Sequence, residues 1–265
     1  MAELDTHDLL RLAEAAARTG GDALMRSFRA LSGGEVQKKG QADYVSKADM
    51  EAERAIADVL ARDRNGFGFL GEETGLSEGR RPEMWVVDPL DGTSNFVWGM
   101  PYFAVSIALC DQEGEILGVV FDPVRNEIFS AIRGGGAWLN GARAAPLAEK
   151  PPAEAMVSIS MPVPGQLKII GRDAFLQGLQ TVMDGSAGIR RLGSAALDLA
   201  NVGAGRLDGF FEDGLSYYDL AAGKLFALES GACVSNGKGG PAHQGAVFAG
   251  QIVIHDWLVE TFIGT

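Results

Sequence analysis

The chain has 265 residues, 46% hydrophobic and 22% charged, a composition that excludes a disordered or fibrous protein. With 23 Lys and Arg against 35 Asp and Glu, its net charge of -12 repels nucleic acid, so a small anion must be met by local cations such as bound divalent metal. No run approaches a membrane span, the first twenty residues lack the apolar core of a signal peptide, and Cys110 and Cys233 stand in apolar contexts that suit reduced, buried thiols. A cytoplasmic protein without a membrane partner is expected.

Apolar residues at 3.6 spacing predict a helix over 6–31, interrupted at Gly20-Gly21, and a second over 46–62 with Ser46 as its cap. Both read as helices covering a sheet. Between them, 38–45 reads as a turn leading into a short extended piece. A short strand over 67–70 ends at Gly71-Glu72-Glu73, and a buried strand over 84–87 ends in Asp88-Pro89-Leu90-Asp91-Gly92-Thr93, so two strands deliver carboxylates to loops. Runs at 104–109, 116–121, 127–132 and 136–139 predict an antiparallel meander, with tight turns at Gly134-Gly135-Gly136 and Asn140-Gly141. A crossover at 146–152 leads to an extended piece at 157–161 and helices over 172–183 and 195–203, which divides the chain into lobes 1–145 and 146–265.

The strongest local feature is the segment from Asp88 to Thr93. Two carboxylates three residues apart can address one ion pair, Pro89 stiffens the loop, Gly92 permits close approach of the backbone, and 93–96 begins a helix whose N–H groups suit a phosphate. Oxygen ligands are what Mg²⁺ prefers, and His7, His243 and His255 are too scattered for zinc or iron. Alone, such a segment is an ordinary surface turn. It is accompanied by Gly71-Glu72-Glu73 upstream and by Tyr217-Tyr218-Asp219-Leu220-Ala221-Ala222-Gly223 downstream.

In that order the three segments resemble the inositol monophosphatase family, which has Gly-Glu-Glu, Asp-Pro-x-Asp-Gly-Thr and Trp-Asp-x-Ala-Ala-Gly elements. The segment DYVSKAD at 43–49, the GAWLNG hairpin at 136–141, Gly193-Ser194-Ala195-Ala196 and Glu212 are similar to further family elements, so the likeness spans about residues 38–234. Tyr218 departs from the family's Trp, which alters a packing partner and leaves Asp219 in place.

The resemblance implies a layered αβαβα sandwich of α+β class, as in the inositol monophosphatase and fructose-1,6-bisphosphatase folds. It implies two or three Mg²⁺ per site, held by Glu72, Asp88, the Leu90 carbonyl, Asp91 and Asp219. Glu72, Thr93 and Asp49 would position and deprotonate the attacking water, with transfer direct to water and no phosphoenzyme. Gly92 and Thr93 would hold phosphate oxygens, and Asp91, Ser194, Ala195 and Glu212 would contact a polyol. Glu73 is as well explained as a solvated loop acid, and Lys39 as an aid to phosphate capture.

Ser94-Asn95-Phe96 after the Asp-Gly-Thr element is similar to the branch acting on inositol 1-phosphate. Fructose 1,6-bisphosphate and NADP remain alternatives, with 3'-phosphoadenosine 5'-phosphate and histidinol phosphate demoted. A catalytically silent binding protein on the same fold is the reading from a different class. Homodimerisation and lithium sensitivity are expected from the resemblance alone.

Overall fold

The computed structural model describes residues 5–29, 36–40, 43–63, 65–162 and 165–264, with backbone only for 36–46. The side chains of the proposed cap Ser46 and of Lys38 and Lys39 lie outside what is described. Helix α1 (Thr6–Ser27) is capped by Asp5, whose carboxylate accepts from the Asp8 N–H at 3.0 Å. It runs through Gly20-Gly21 without a break, contrary to the sequence expectation. A Cβ at Gly20 would lie 2.7 Å from Ile56 Cδ1, and one at Gly21 2.5 Å from Phe121 Cε1. These glycines serve close packing, which outweighs their weak helix propensity.

The chain then forms the β1 (Val36–Gly40) and β2 (Asp43–Ser46) hairpin, helix α2 (Lys47–Leu60), and strands β3 (Gly68–Gly71), β4 (Gly75–Ser77) and β5 (Met84–Asp91). Helix α3 (Thr93–Val97) precedes β6 (Ala104–Asp111), β7 (Gly114–Asp122), β8 (Glu127–Ile132), β9 (Gly136–Leu139) and β10 (Ala142–Arg143). Eight of these strands form one sheet in the order β10-β9-β8-β7-β6-β5-β3-β4, parallel only between β3 and β5.

Both faces of this sheet are covered, which is why its central strands are apolar almost throughout. Alternation along β5, β6 and β7 sends Trp85, Val87, Ile107, Leu109, Leu117 and Val119 toward α1 and α2. The opposite face presents Val86, Ala104, Ala108 and Val120. Bulky residues thus meet one helical layer and mostly small ones the other.

The second half supplies β11 (Met156–Ile159), α4 (Arg172–Gly185), β12 (Gly188–Arg190), α5 (Ala195–Gly203), β13 (Gly209–Leu215), α6 (Tyr217–Glu229), β14 (Cys233–Ser235), β15 (Gly245–Gly250) and α7 (Ile252–Ile263). Its sheet has the order β12-β11-β13-β15-β14. One face packs on α4 and α7 through Phe175, Phe211, Phe248 and Phe262, and the other on α5 and α6 through Leu199, Phe210 and Val247. The layers therefore run α1/α2, large sheet, α5/α6, small sheet, α4/α7, the expected five-layer α+β sandwich. Among the described residues no helix is long and apolar enough to cross a membrane. Cys110 is buried, whereas Cys233 is only partly so, and neither is in a disulfide.

Helix α6 sits close to the large sheet because β7 carries no side chain at Gly118, where a Cβ would lie 2.9 Å from the Ala222 Cα and 3.1 Å from its carbonyl. Backbone cannot rotate away from such a clash. Gly118→Ala should therefore lower unfolding free energy by about 1–3 kcal/mol, read as a lower urea midpoint at unchanged slope, and an unchanged midpoint would show that α6 does not depend on this contact.

Candidate functional site

Strand β5 carries the centre of the site. Asp88 pairs with Ser106 and Asp91 with Ala104, so β5 has one extra residue against β6 at this point. Residues three apart on a regular strand face opposite ways. The bulge restores parity and turns Asp91 to the side that Asp88 already faces, toward α5 and α6. The DPLD spacing is thus the sequence trace of a bulge.

Asp88 is 2% exposed and its Oδ1 accepts from the Leu90 N–H at 2.9 Å. Burial pushes its carboxyl well above the usual range, and the charges of Glu72, Asp91 and Asp219 push it further. Asp91 is held by α5: Ser194 Oγ and the Ala196 N–H donate to Oδ2 at 2.5 and 2.7 Å, and the Ala195 N–H to Oδ1 at 3.2 Å. Burial raises it to about 6, opposed by these same donors. Asp219, in the first turn of α6, accepts from the Ser216 N–H at 2.7 Å in a capping box. It is partly exposed at its surface, yet burial, then Asp91, holds its carboxyl well above the usual range.

Glu72 joins this group because its N–H donates to the Val87 carbonyl at 3.1 Å, extending the β3–β5 pairing to the residue beside Asp88. The turn that carries it rests on Glu53, a 1% exposed acid of α2 whose two oxygens accept from the Glu73 and Thr74 N–H groups at 2.9 and 3.0 Å. Thr93 places its hydroxyl 3.3 Å from Asp49 Oδ1 and 3.1 Å from the Leu90 carbonyl. Asp49 is fully buried in the first turn of α2. Gly92 has φ 97°, and a Cβ there would lie 3.1 Å from both the Gly193 and Tyr102 carbonyls. Only glycine suits that turn.

Glu212 reaches the same neighbourhood from β13, where a bulge follows it. It accepts from Gln166 Nε2 at 2.9 Å, and burial raises it to about 8 against a hydrogen bond from Ser160. The Gln166 segment is clamped by Asp213, whose Oδ2 accepts from the N–H groups of Lys168, Ile169 and Ile170 at 2.8 to 3.0 Å.

The sequence-derived acids therefore meet: Glu72, Asp88, Asp91, Asp219 and Glu212 feel one another's charge. Asp88, Asp91, Asp219 and Glu212 each accept from a donor of their own, and among the described residues no three His, Cys, Asp or Glu side chains close to metal-gripping distance as they stand. The donor set decides the fit. It is all oxygen, it includes the Leu90 carbonyl, and its like charges raise one another, which suits a hard divalent cation that would relieve that repulsion.

Asn95 does something other than face a substrate. Its amide nitrogen lies 2.7, 2.8 and 3.3 Å from the carbonyls of Tyr102, Leu192 and Gly193, and Phe96 packs among Phe28 and Phe103. Both are buried. A second network that the sequence reading missed joins Asp198 of α5 to Tyr102 OH and Ser158 Oγ, each donating at 2.6 Å. Asp198 is 3% exposed, and burial lifts its carboxyl to about 7. Its sequence signal was an acid inside a helix whose other residues, Asn201 apart, are apolar or glycine.

The layered fold and the acid-lined junction of β3, β5, α5 and α6 define a site suited to a divalent cation and a small anion. The chain belongs to the inositol monophosphatase family, whose model matches residues 5–262. It is similar to an inositol-1-monophosphatase of Mesorhizobium japonicum, with 44% identity over 257 residues and 95% of each chain covered. It is also similar to a Nus factor SuhB of Pseudomonas aeruginosa, with 41% identity over 96% of this chain and 95% of the relative. Among solved structures, the extragenic suppressor protein suhB from Bartonella henselae matches with a TM-score of 0.90 and 39% identity over 97% of this chain and 98% of that one.

The raised carboxyl of Asp198 has a stability consequence whose sign is fixed. Between its ordinary 3.8 and about 7 the folded state holds a proton that the unfolded state releases, so the contribution of Asp198 to stability is greatest below pH 4 and falls as pH rises to 7. At about 1.4 kcal/mol per pH unit this amounts to about 4 kcal/mol. Asp198→Asn removes the titration, so urea midpoints of the variant should gain on those of the wild type as pH goes from 4 to 7. A constant gap across that window would contradict the assignment.

Proposed function

We propose that this chain hydrolyses a small phosphate monoester, inositol 1-phosphate foremost, with Mg²⁺ as cofactor. The observation that carries the reading is the convergence of Glu72 from the end of β3, Asp88 and Asp91 from β5, and Asp219 from α6 into one group of mutually repelling carboxylates. Burying like charges is costly unless something offsets them. Glu72, Asp88, the Leu90 carbonyl, Asp91 and Asp219 are the groups that would hold the ions. When bound, such ions polarise phosphoryl oxygens and lower the proton affinity of water.

The chain's own residues divide the remaining work. Thr93 and buried Asp49 form a proton-accepting pair at the edge of the acids, and with Glu72 they orient the attacking water and draw off its proton. Backbone N–H groups of Gly92 and Thr93 hold phosphate oxygens, in a turn whose shape Asn95 fixes by gripping the Leu192 and Gly193 carbonyls. On the alcohol side, Asp91, Ser194 and Ala195 present polar groups from the start of α5. Glu212, which burial pushes up to about 8, places its carboxyl on the same side, where its oxygens accept from a polyol hydroxyl.

Relatives bear the names of an inositol-1-monophosphatase and of a Nus factor. The second name supports an alternative in which the fold serves as a binding protein. The intact acid set favours hydrolysis, because a silent protein has no use for buried, mutually destabilising carboxylates.

Phosphate release should be measured from inositol 1-phosphate, fructose 1,6-bisphosphate, 3'-phosphoadenosine 5'-phosphate, histidinol phosphate and NADP, with Mg²⁺ and with EDTA. Release is expected from inositol 1-phosphate, abolished by EDTA and reduced about 10³-fold or more in Asp88→Asn, a loss of several kcal/mol in transition-state stabilisation. Thr93→Ala should lower kcat by about 10²- to 10⁴-fold with little change in KM. Preference for another substrate would move the specificity and leave the chemistry. Absence of Mg²⁺-dependent release from every substrate would favour the binding protein.

A further inference from the structure

A cavity of about 610 Å³ opens between α2 and the β3–β4 hairpin, and its lining contains none of the acids assigned above to metal. The volume falls within the roughly 300–1,000 Å³ of small-molecule sites. Its walls are apolar, formed by Met50, Ala57, Leu60, Phe67, Phe69 and Trp85. The acids in the lining are already engaged: Asp63 accepts from Trp85 Nε1 at 3.4 Å, and Glu53 from the Glu73 and Thr74 N–H groups.

Two cations complete the lining, Arg54 and Arg80, both exposed. Neighbouring Arg81 is paired with Glu83, whereas among the described residues neither Arg54 nor Arg80 is held by a carboxylate. On a chain of net charge -12, two unengaged guanidiniums beside an apolar chamber select an anion with an apolar body.

The cavity also touches the turn that carries Glu72. Glu53 and Thr74 line it, and Glu53 is the residue whose carboxylate holds the turn. Gly71 permits that contact, since a Cβ there would lie about 2.5 Å from the same carboxyl group.

We propose that this cavity is a binding site for a small apolar anion, an aromatic or acyl group bearing one carboxylate, sulfonate or phosphate, and that its occupancy stiffens the turn carrying Glu72. An occupant packed against Glu53 and Thr74 braces the two hydrogen bonds that hold the turn and thereby slows its opening. Any effect on catalysis rests on the role given to Glu72 above, so binding and stiffening are read without an activity assay.

The test titrates the whole protein with 1-anilinonaphthalene-8-sulfonate and with the neutral N-phenyl-1-naphthylamine, by fluorescence, alongside amide hydrogen exchange. The wild type should bind the sulfonate at one site, and exchange at Glu73 and Thr74 should slow on saturation. Ala57→Trp, which fills the chamber, should weaken both probes at least tenfold. The double variant Arg54→Ala with Arg80→Ala, altered only at exposed positions, should weaken the sulfonate about tenfold and spare the neutral probe. Unchanged sulfonate affinity in both variants would overturn the site, equal effects of the arginine variant on both probes would overturn the anion selectivity, and unchanged exchange would overturn the coupling. If Ala57→Trp does not fold, the arginine pair decides alone.

Discussion

The carboxylate of Asp91 is the joint on which the site depends. The first N–H groups of α5 have no partners within the helix, and its own N-cap, Ser194, makes no side-chain cap bond. Asp91 supplies the cap from another element, taking the Ala195 and Ala196 N–H groups and the Ser194 hydroxyl. An anion at a helix N-terminus is favoured by the dipole as well as by the hydrogen bonds. One side chain thus pins the middle helical layer to the large sheet beside the acids, and the bulge in β5 exists to aim it.

Close packing makes that joint possible. The face of the large sheet toward α5 and α6 is lined mainly by Ala104, Ala108, Gly118 and Val120, and α6 answers with Ala221 and Ala222. Larger side chains would hold α6 away and carry Asp219 out of reach of Asp88. The opposite face, with Trp85, Ile107, Leu109 and Phe121, provides the bulk of the apolar burial. The sheet is therefore asymmetric for a reason: one face carries the larger of its two cores, and the other permits the approach of the helices that complete the site.

What was legible in the sequence follows the range of the interactions. The carboxylates of the three acidic motifs sit at or within a turn of an element end, where a few adjacent residues specify local shape and chemistry, and the three motifs could be read together. Glu53, Asp198 and Asp213 could not. Little in the neighbouring sequence marks any of them, because the groups that distinguish each from a solvated acid lie far off: Glu73 twenty residues from Glu53, Ser158 forty from Asp198, and Ile170 forty-three from Asp213. Gly20-Gly21 misled for the same reason, because their value lies in contacts with Ile56 and Phe121 that a helix-propensity argument does not see. Asn95 and Phe96 read as markers of substrate choice, yet they act by fixing the Gly92 turn and filling the core behind it.

The central claim is that the carboxylates gathered around Asp88 are a cation site. Its most direct test is the thermal unfolding midpoint of the wild type and of Asp88→Asn with and without millimolar Mg²⁺. A ligand that binds only the folded state raises stability with the logarithm of one plus its concentration over Kd. The account predicts a Mg²⁺-dependent rise in the wild type that is lost in Asp88→Asn, with the variant the more stable of the two when Mg²⁺ is withheld because one buried repulsive charge is gone. No rise in the wild type, or an equal rise in both proteins, would contradict it.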